Sequence, residues 1–183
     1  GIAGYGTLGQ ACARSLLALG YPVCGWRRRD DGSAAPDGVT LFHGEAARAD
    51  FLGRCDTVVN LLPLTPQTRG VLDTAWFARM RRGAHLINVG RGDHLVEDDL
   101  LAALDAGHLG AATLDAFSTE PLPAHHPFWR HPKVTVTPHI ATRTAPAVIA
   151  QQTLAHLAAV RAGDAARVAV RSEEHTSELQ SRL

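Results

Sequence analysis

The sequence predicts an α/β protein built on a doubly wound parallel sheet, and three observations support this prediction. Short apolar segments of strand length recur along the chain, and amphipathic helical segments separate them. Several strand segments are apolar on both faces, as buried parallel strands require. The chain has 183 residues, 45% of them hydrophobic and 20% charged. It is long enough to bury one sizeable core, so we expect one main domain.

The elements follow one another in regular order. Strands are predicted over residues 1–3, 22–26, 39–43, 56–62, 84–89, 111–117 and 134–137. Helices are predicted over residues 7–20, 44–54, 74–82, 96–107 and 142–164. Helix punctuation supports the last two, because acidic residues crowd the first turn of the fourth helix and Gly107 ends its apolar period. The fifth and longest helix has Pro146 in its first turn and Gly163 past its end.

Composition argues against several classes of partner. Lysine plus arginine number 18 and aspartate plus glutamate also 18. A chain without excess positive charge has no broad basic surface for nucleic acid or an anionic membrane, so a small-molecule partner is expected. No apolar run approaches the roughly 18 residues that span a bilayer, and no signal peptide leads the chain, which favours a cytoplasmic location.

The first residues, GIAGYGTLG, contain a G-x-G-x-x-G pattern formed by Gly4, Gly6 and Gly9. They follow apolar residues and open an amphipathic helix at Thr7 and Leu8, which is the context of a dinucleotide fingerprint. The glycines allow a tight turn and a close approach of the pyrophosphate, and the helix N-terminus offers unpaired N–H groups to it. The pattern predicts a Rossmann-type NAD(P)-binding domain, with a purely structural turn as the alternative.

The segment GWRRRDDG ends the second predicted strand, where the ribose of a dinucleotide is recognised. Arg27, Arg28 and Arg29 could pair with a 2′-phosphate, whereas an NAD-selective protein usually places an acidic residue there. NADPH is therefore the expected cofactor. In the alternative, the arginines form a solvated cluster, Asp30 or Asp31 reaches the ribose, and NADH is bound.

Three motifs with chemical potential follow strands in the second half of the chain, namely NVGRG, DAFSTEPLP and TPHIA. They bring Arg91, Glu120 and His139 to the carboxyl ends of strands, where a doubly wound sheet binds its ligands. An arginine can hold a carboxylate through two parallel hydrogen bonds, a histidine can transfer a proton, and a carboxylate can orient the histidine. These three residues are the predicted catalytic set.

No metal site is predicted. His125, His126 and His131 lie close to His139 in sequence, but prolines separate them and the ligand spacing of a metal site is missing. A loop before a strand is the interpretation we favour. The remaining histidines are interpreted as packing or surface residues: His43, His85, His94, His108 and His156.

Taken in order, the motifs GYGTLG, NLLPLTPQTRG, NVGRGDHLVEDDLLAAL, LDAFSTEPLP and FWRHPKVTVTPHIA resemble the D-2-hydroxyacid dehydrogenase family. The segments STEPLP, HPFWRHP and TPHIA are similar to its branch that reduces glyoxylate and hydroxypyruvate. The resemblance implies that Arg91 binds the substrate carboxylate, that Glu120 partners the histidine, and that His139 donates the proton. It also implies that Asp115 holds the nicotinamide carboxamide.

The resemblance extends the expected cofactor site and suggests the function. Cofactor contacts are also expected from Leu62, Pro63, Val89 and Gly90. The expected function is NADPH-preferring reduction of small 2-oxo acids, by a homodimer when the protein is full length. Two alternatives remain open: a dinucleotide-sensing interaction module without catalysis, and a fragment that binds cofactor without turnover.

The expected domain organisation has three parts. Residues 1–141 form the dinucleotide-binding domain, and residues 142–170 form a C-terminal helix that is the remnant of a substrate domain largely missing from this chain. The chain begins inside a motif, and its segment RSEEHTSELQS resembles a translated sequencing adapter. Residues 171–183 are therefore expected to be a non-native tail, with a polar C-terminal helix as the alternative.

Overall fold

The computed structural model describes residues 1–29, 35, 38–141 and 146–163. The chain divides into two compact units, Gly1–Ala141 and Thr142–Leu183. In the first unit the strands are β1 (Ile2–Ala3), β2 (Val23–Arg27), β3 (Val39–His43), β4 (Thr57–Asn60), β5 (Ala84–Asn88), β6 (Leu109–Leu114) and β7 (Val134–Val136). Its helices are α1 (Thr7–Ala18), α2 (Arg48–Arg54), α3 (Thr74–Arg79) and α4 (Glu97–Asp105).

The seven strands form one sheet in the order β3-β2-β1-β4-β5-β6-β7. Every pairing is parallel. The order reverses beside β1, which pairs with β2 on one side and β4 on the other. This is the doubly wound topology, and it confirms the predicted fold class. Because all strands run the same way, the segments that leave their carboxyl ends share one edge of the sheet.

The main core lies between the sheet and the helices α2, α3 and α4. Its largest fully buried side chains include Trp76, Phe51 and Phe77. Trp26 from β2 packs edge-on against Trp76, with 6.0 Å between the ring centroids. These contacts follow from the sequence, since the strands are apolar on the faces that the helices cover.

Several helices and strands are shorter than predicted, for identifiable reasons. Helix α2 begins at Arg48 rather than at Gly44, which has a φ of 77° and so cannot be part of a right-handed helix; residues 45–47 form a turn. Helix α3 begins where the Asp73 carboxylate accepts a hydrogen bond from the Trp76 N–H at 2.8 Å. It ends before Met80, whose backbone is extended with ψ at 153°. The predicted elements exist, and their ends are set by local backbone geometry.

The second unit contains helix α5 (Pro146–Arg161) within its described residues. Pro146 opens the helix and Gly163, with a φ of 73°, follows its end, as the sequence predicts. The predicted first residues of this helix, 142–145, and the whole predicted tail, 171–183, lie outside the described residues. In the part of the chain that the structure describes, no helix has both the length and the apolar character needed to cross a membrane.

Candidate active site

Several predicted site residues lie just beyond the carboxyl ends of strands. Gly4 follows β1, Leu62 follows β4, Arg91 follows β5 and Asp115 follows β6 directly. His139 lies three residues beyond β7. Since the sheet is parallel throughout, these five residues belong to the same edge, in the strand order β1, β4, β5, β6, β7. Residues that are far apart in sequence are thereby collected at the edge where doubly wound folds bind ligands.

The glycine turn after β1 has the geometry that a phosphate cradle needs. Gly4 has a φ of 100°, and a Cβ there would lie 2.6 Å from the backbone carbonyl of Leu61. A Cβ on Gly9 would overlap the carbonyl oxygen of Gly4. Helix α1 starts at Thr7 without a side-chain cap, and Gly6, Thr7 and Leu8 are exposed. The turn and the helix N-terminus therefore fit the pyrophosphate of a dinucleotide.

The arginines at the end of β2 lie in different environments. Arg27 is only 7% exposed, and its Nε donates a hydrogen bond to Nδ1 of His43 at 3.2 Å. Arg28 is exposed and accessible to an anionic ligand. Asp30 and Asp31, the alternative partners of the ribose, lie outside the described residues. Of the three predicted ligands of a 2′-phosphate, Arg28 and Arg29 are the ones that solvent reaches.

The remaining predicted cofactor contacts lie in the two loops that follow β4 and β5. Leu62 is buried and Pro63 is exposed in the first loop. Val89 is half-buried and Gly90 is buried in the second. Because β4 and β5 are neighbours in the sheet, the two loops lie side by side at the ligand edge.

Glu120 and His139 form a hydrogen-bonded pair at this edge. Nδ1 of His139 lies 2.8 Å from Oε2 of Glu120, and the two side chains are 42% and 38% exposed. The other carboxylate oxygen of Glu120 accepts a hydrogen bond from the Phe117 N–H at 3.0 Å, which fixes the orientation of the carboxylate. The backbone of His139 has a φ of 51°, a left-handed conformation that is uncommon for histidine.

Asp115 holds the segment that carries His139. Its buried carboxylate accepts hydrogen bonds from Oγ1 of Thr137 at 2.6 Å and from the N–H groups of Ile140 and Ala141 at 2.9 Å each. Burial alone would raise the pKa of this carboxyl, but the three hydrogen bonds outweigh it and hold the pKa below its usual value. The Asp115 carboxylate therefore binds residues before and after His139 in sequence, a role that the sequence does not predict.

Arg91 lies in a loop that packs against the segment leading to Glu120. Its Nη1 donates to the Gly90 carbonyl at 2.9 Å. A Cβ on the next residue, Gly92, would overlap the backbone of Phe117, so the two segments are in close contact. The loops after β5, β6 and β7 therefore supply the arginine, the glutamate and the histidine from three neighbouring strands.

Two other histidines of the second half pair with acidic residues, and a third is buried. Nε2 of His126 lies 3.1 Å from Glu97, and Nε2 of His131 lies 3.2 Å from Asp105. Among the described residues, no group of three potential ligands could hold a metal ion. His94, interpreted from sequence as a packing or surface residue, is completely buried in a polar network. The sequence signal for this network is the polar residue that ends each of two apolar strands, Asn60 in β4 and Asn88 in β5.

The fold is a Rossmann-type dinucleotide-binding domain, with an arginine and a glutamate–histidine pair at the same edge of the sheet as the glycine turn. A family model described as "D-isomer specific 2-hydroxyacid dehydrogenase, NAD binding domain" matches residues 1–141. The chain therefore belongs to the D-isomer specific 2-hydroxyacid dehydrogenase family, which confirms the family predicted from its motifs.

Known relatives agree with this assignment. The chain is 52% identical over 163 residues to glyoxylate/hydroxypyruvate reductase A of Serratia proteamaculans, covering 89% of this chain and 51% of that protein. A D-isomer specific 2-hydroxyacid dehydrogenase from Xanthobacter autotrophicus, solved with NADPH and MES, is 42% identical with a TM-score of 0.83, covering 89% and 66%. An NADPH-dependent glyoxylate/hydroxypyruvate reductase from Sinorhizobium meliloti, solved with NADP and sulfate, is 41% identical with a TM-score of 0.82, covering 88% and 52%.

The chain spans about half the length of the curated relatives it matches.

Proposed function

We propose that this chain supplies the cofactor-binding and proton-transferring part of an NADPH-preferring reductase of small 2-oxo acids, glyoxylate and hydroxypyruvate first. The observation that carries the proposal is the 2.8 Å pair of His139 and Glu120 at the ligand edge of the sheet. Relatives that bear the name of this activity, and relatives solved with NADPH or NADP, support it. The complete enzyme is proposed to be a homodimer, as the family resemblance implies.

The cofactor is held mainly by backbone groups in this proposal. The turn at Gly4 and the uncapped start of α1 receive the pyrophosphate, and the exposed Arg28 pairs with the 2′-phosphate. When bound, NADPH supplies the hydride that reduces the keto carbon.

His139 delivers the proton. Its Nδ1 is engaged by Glu120, so Nε2 is the ring nitrogen that donates to the developing alkoxide oxygen of the substrate. Arg91 binds the substrate carboxylate through two parallel hydrogen bonds and so fixes which oxygen meets the histidine. The left-handed backbone at His139, held by Asp115 on both sides, fixes where the ring lies.

A chimera tests the proposal, with this chain replacing the matched region of the Serratia relative. The expected result is reduction of glyoxylate with NADPH, at a higher kcat/KM than with NADH. Substituting His139→Ala is expected to lower kcat by about 100-fold to 10,000-fold, because general acid catalysis contributes that much. Steady-state absorbance at the NADPH band measures both rates.

The control variant is His125→Ala, which removes an exposed histidine of the preceding loop and is expected to leave kcat unchanged. If His139→Ala had the parent rate, His139 would not be the proton donor. A chimera that binds NADPH but reduces neither 2-oxo acid, under conditions where the intact relative does, would favour a nucleotide-sensing module instead.

A further inference from the structure

Three polar side chains are buried directly beneath residues 89–91, the loop that carries Arg91 and is called the arginine loop below. Asn60 ends β4, Asn88 ends β5, and His94 ends a short 3-10 helix, Gly92–His94. Each is 0% exposed. Burying polar groups is costly unless they are hydrogen-bonded, so three such residues in contact need a reason.

The three side chains bond to one another. Nδ2 of Asn60 donates to Oδ1 of Asn88 at 2.9 Å and lies 3.1 Å from Nδ1 of His94. The two asparagines are register partners in the parallel pairing of β4 with β5. The network therefore links two central strands at the point where their loops begin.

The network also binds the backbone of the arginine loop. Nδ1 of His94 accepts from the Arg91 N–H at 3.1 Å, and Nδ2 of Asn88 donates to the Arg91 carbonyl at 3.2 Å. Oδ1 of Asn88 accepts from the Gly90 N–H at 3.2 Å. The Arg91 N–H is thus held by a buried side chain, and the Arg91 carbonyl accepts both from Asn88 and from the backbone N–H of His94 at 3.2 Å, the bond of the 3-10 turn.

The same network reaches the neighbouring cofactor loop. Oδ1 of Asn60 accepts from the Leu62 N–H at 3.2 Å. A Cβ on Gly90 would lie 2.8 Å from both Nδ2 of Asn60 and Nδ1 of His94, so the loop backbone rests directly on the network. One continuous set of hydrogen bonds therefore joins the loop at Leu62 to the loop at Arg91.

The neutral form of His94 is the form that can accept the hydrogen bond from the Arg91 N–H. A ring nitrogen that accepts from an N–H group must be unprotonated. Burial lowers the pKa of His94 and so favours the neutral ring, with Nδ1 as the acceptor and the proton on Nε2. A protonated ring would place a donor against the Arg91 N–H.

We propose that Asn60, Asn88 and His94 are positioning residues that fix the backbone of Arg91, and with it the direction from which its side chain meets the substrate carboxylate. The network ties this orientation to the cofactor loop at Leu62, so the two loops keep one relative arrangement. The inference rests on the proposed function for the role of Arg91 in binding substrate.

The first test needs no variant and no activity. In the 183-residue chain labelled with nitrogen-15, a scalar coupling through the hydrogen bond is expected between the Arg91 amide nitrogen and Nδ1 of His94. The ring nitrogens should report the tautomer protonated at Nε2. A folded chain that lacks this coupling, or whose ring carries its proton on Nδ1, would overturn the proposal.

The second test compares two substitutions at one position. His94→Leu removes the acceptor, whereas His94→Asn keeps an oxygen near the place of Nδ1. Amide hydrogen exchange at Arg91 is expected to be about 100-fold faster in His94→Leu than in the parent, and within about tenfold of the parent in His94→Asn. The matched control is His85→Leu, which removes a half-buried histidine bonded to Thr113 at the other end of β5.

The chimera described above adds the kinetic result. His94→Leu is expected to raise KM for glyoxylate by about 10-fold to 100-fold, because a displaced Arg91 would bind the substrate carboxylate less tightly. KM for NADPH is expected to change much less, and His94→Asn should restore most of the loss. Equal effects of His94→Leu and His85→Leu would mean a general structural role and would overturn the proposal. An inactive parent chimera would count against the proposed function alone, since the coupling and exchange results stand without turnover.

Discussion

The two halves of the ligand edge are built in different ways. The half formed by β1 and β2 offers backbone groups to a ligand. It consists of a turn that has room only for glycine at position 4 and of the start of α1, which has no side-chain cap. The half formed by β5, β6 and β7 uses side chains held by other side chains, as in the pair of Glu120 with His139 and the bonds from Asp115. A phosphate binds to any correctly placed N–H group, whereas proton transfer needs particular atoms in particular places. Adding a side chain should therefore impair ligand binding in the first half, whereas removing a side chain should impair the second half.

The largest effect is expected from adding a methyl group to the turn. Gly4→Ala would place a Cβ 2.6 Å from the Leu61 backbone, which cannot move without disturbing β4. We expect the Kd for NADPH, measured by fluorescence titration of the 183-residue chain, to rise by about 100-fold or more.

The matched control is Gly20→Ala. Gly20 also has a positive φ, at 84°, but nothing lies within 4 Å of a Cβ there. It should cost about 1 kcal/mol of stability and leave the Kd for NADPH within about twofold. Equal losses in the two variants would show that backbone conformation, and not the clash in the cradle, controls binding.

A smaller effect is expected from removing a charge beneath the histidine. Asp115→Asn cannot accept from all three of its donors, because its NH₂ group would face the N–H of Ala141 or of Ile140. We expect a loss of about 1–3 kcal/mol in the free energy of unfolding, measured with urea on the 183-residue chain. Asp105→Asn, at a carboxylate that is 76% exposed, should change it by less than about 0.5 kcal/mol.

The Asp115 contribution should also depend on pH. The pKa of Asp115 is held below its usual value of 3.8 in the folded chain, so its stabilisation is fully present above pH 3.8 and is lost as the pH falls through the folded pKa. The difference between parent and Asp115→Asn is therefore expected to shrink as the pH falls from 3.8 through the folded pKa. If this difference in stability did not change between neutral and acid pH, the ionised Asp115 carboxylate would not be what holds the segment around His139.

The smallest effect is expected at the ribose end, where exposed arginine side chains, and not backbone groups, would bind the cofactor. Arg28→Ala is expected to weaken NADPH about 5-fold to 10-fold and to leave NADH within about twofold, because the loss is one solvent-screened ion pair. Arg82→Ala, at an exposed arginine just before β5, is the control and should change neither Kd. Equal weakening of NADPH and NADH by Arg28→Ala would remove the argument for a 2′-phosphate ligand at this arginine.

The fold could be predicted from sequence to a large extent, because apolar segments and helix ends follow local rules. The strand segments and the glycine fingerprint were identified without a structure, and Arg91, Glu120 and His139 were proposed on the same basis. The role of Asp115 could not be predicted, since its three donors come from a segment that lies 22 to 26 residues further along the chain. His94 is buried, as one of its two sequence interpretations expects, but its polar network could not be predicted, because its partner Asn60 lies 34 residues away in sequence.

The central position of β1 has a consequence for how the molecule folds. Its partners are β2 and, 57 residues later than Ile2, Val59 of β4. Such non-local parallel pairings form slowly, because a long loop must close before any contact rewards it. The turn at Gly4 takes its shape against Leu61, which β4 delivers. Nucleotide binding during refolding is therefore expected to appear only after the first 61 residues have come together, which would make NADPH fluorescence a late reporter of folding in this domain.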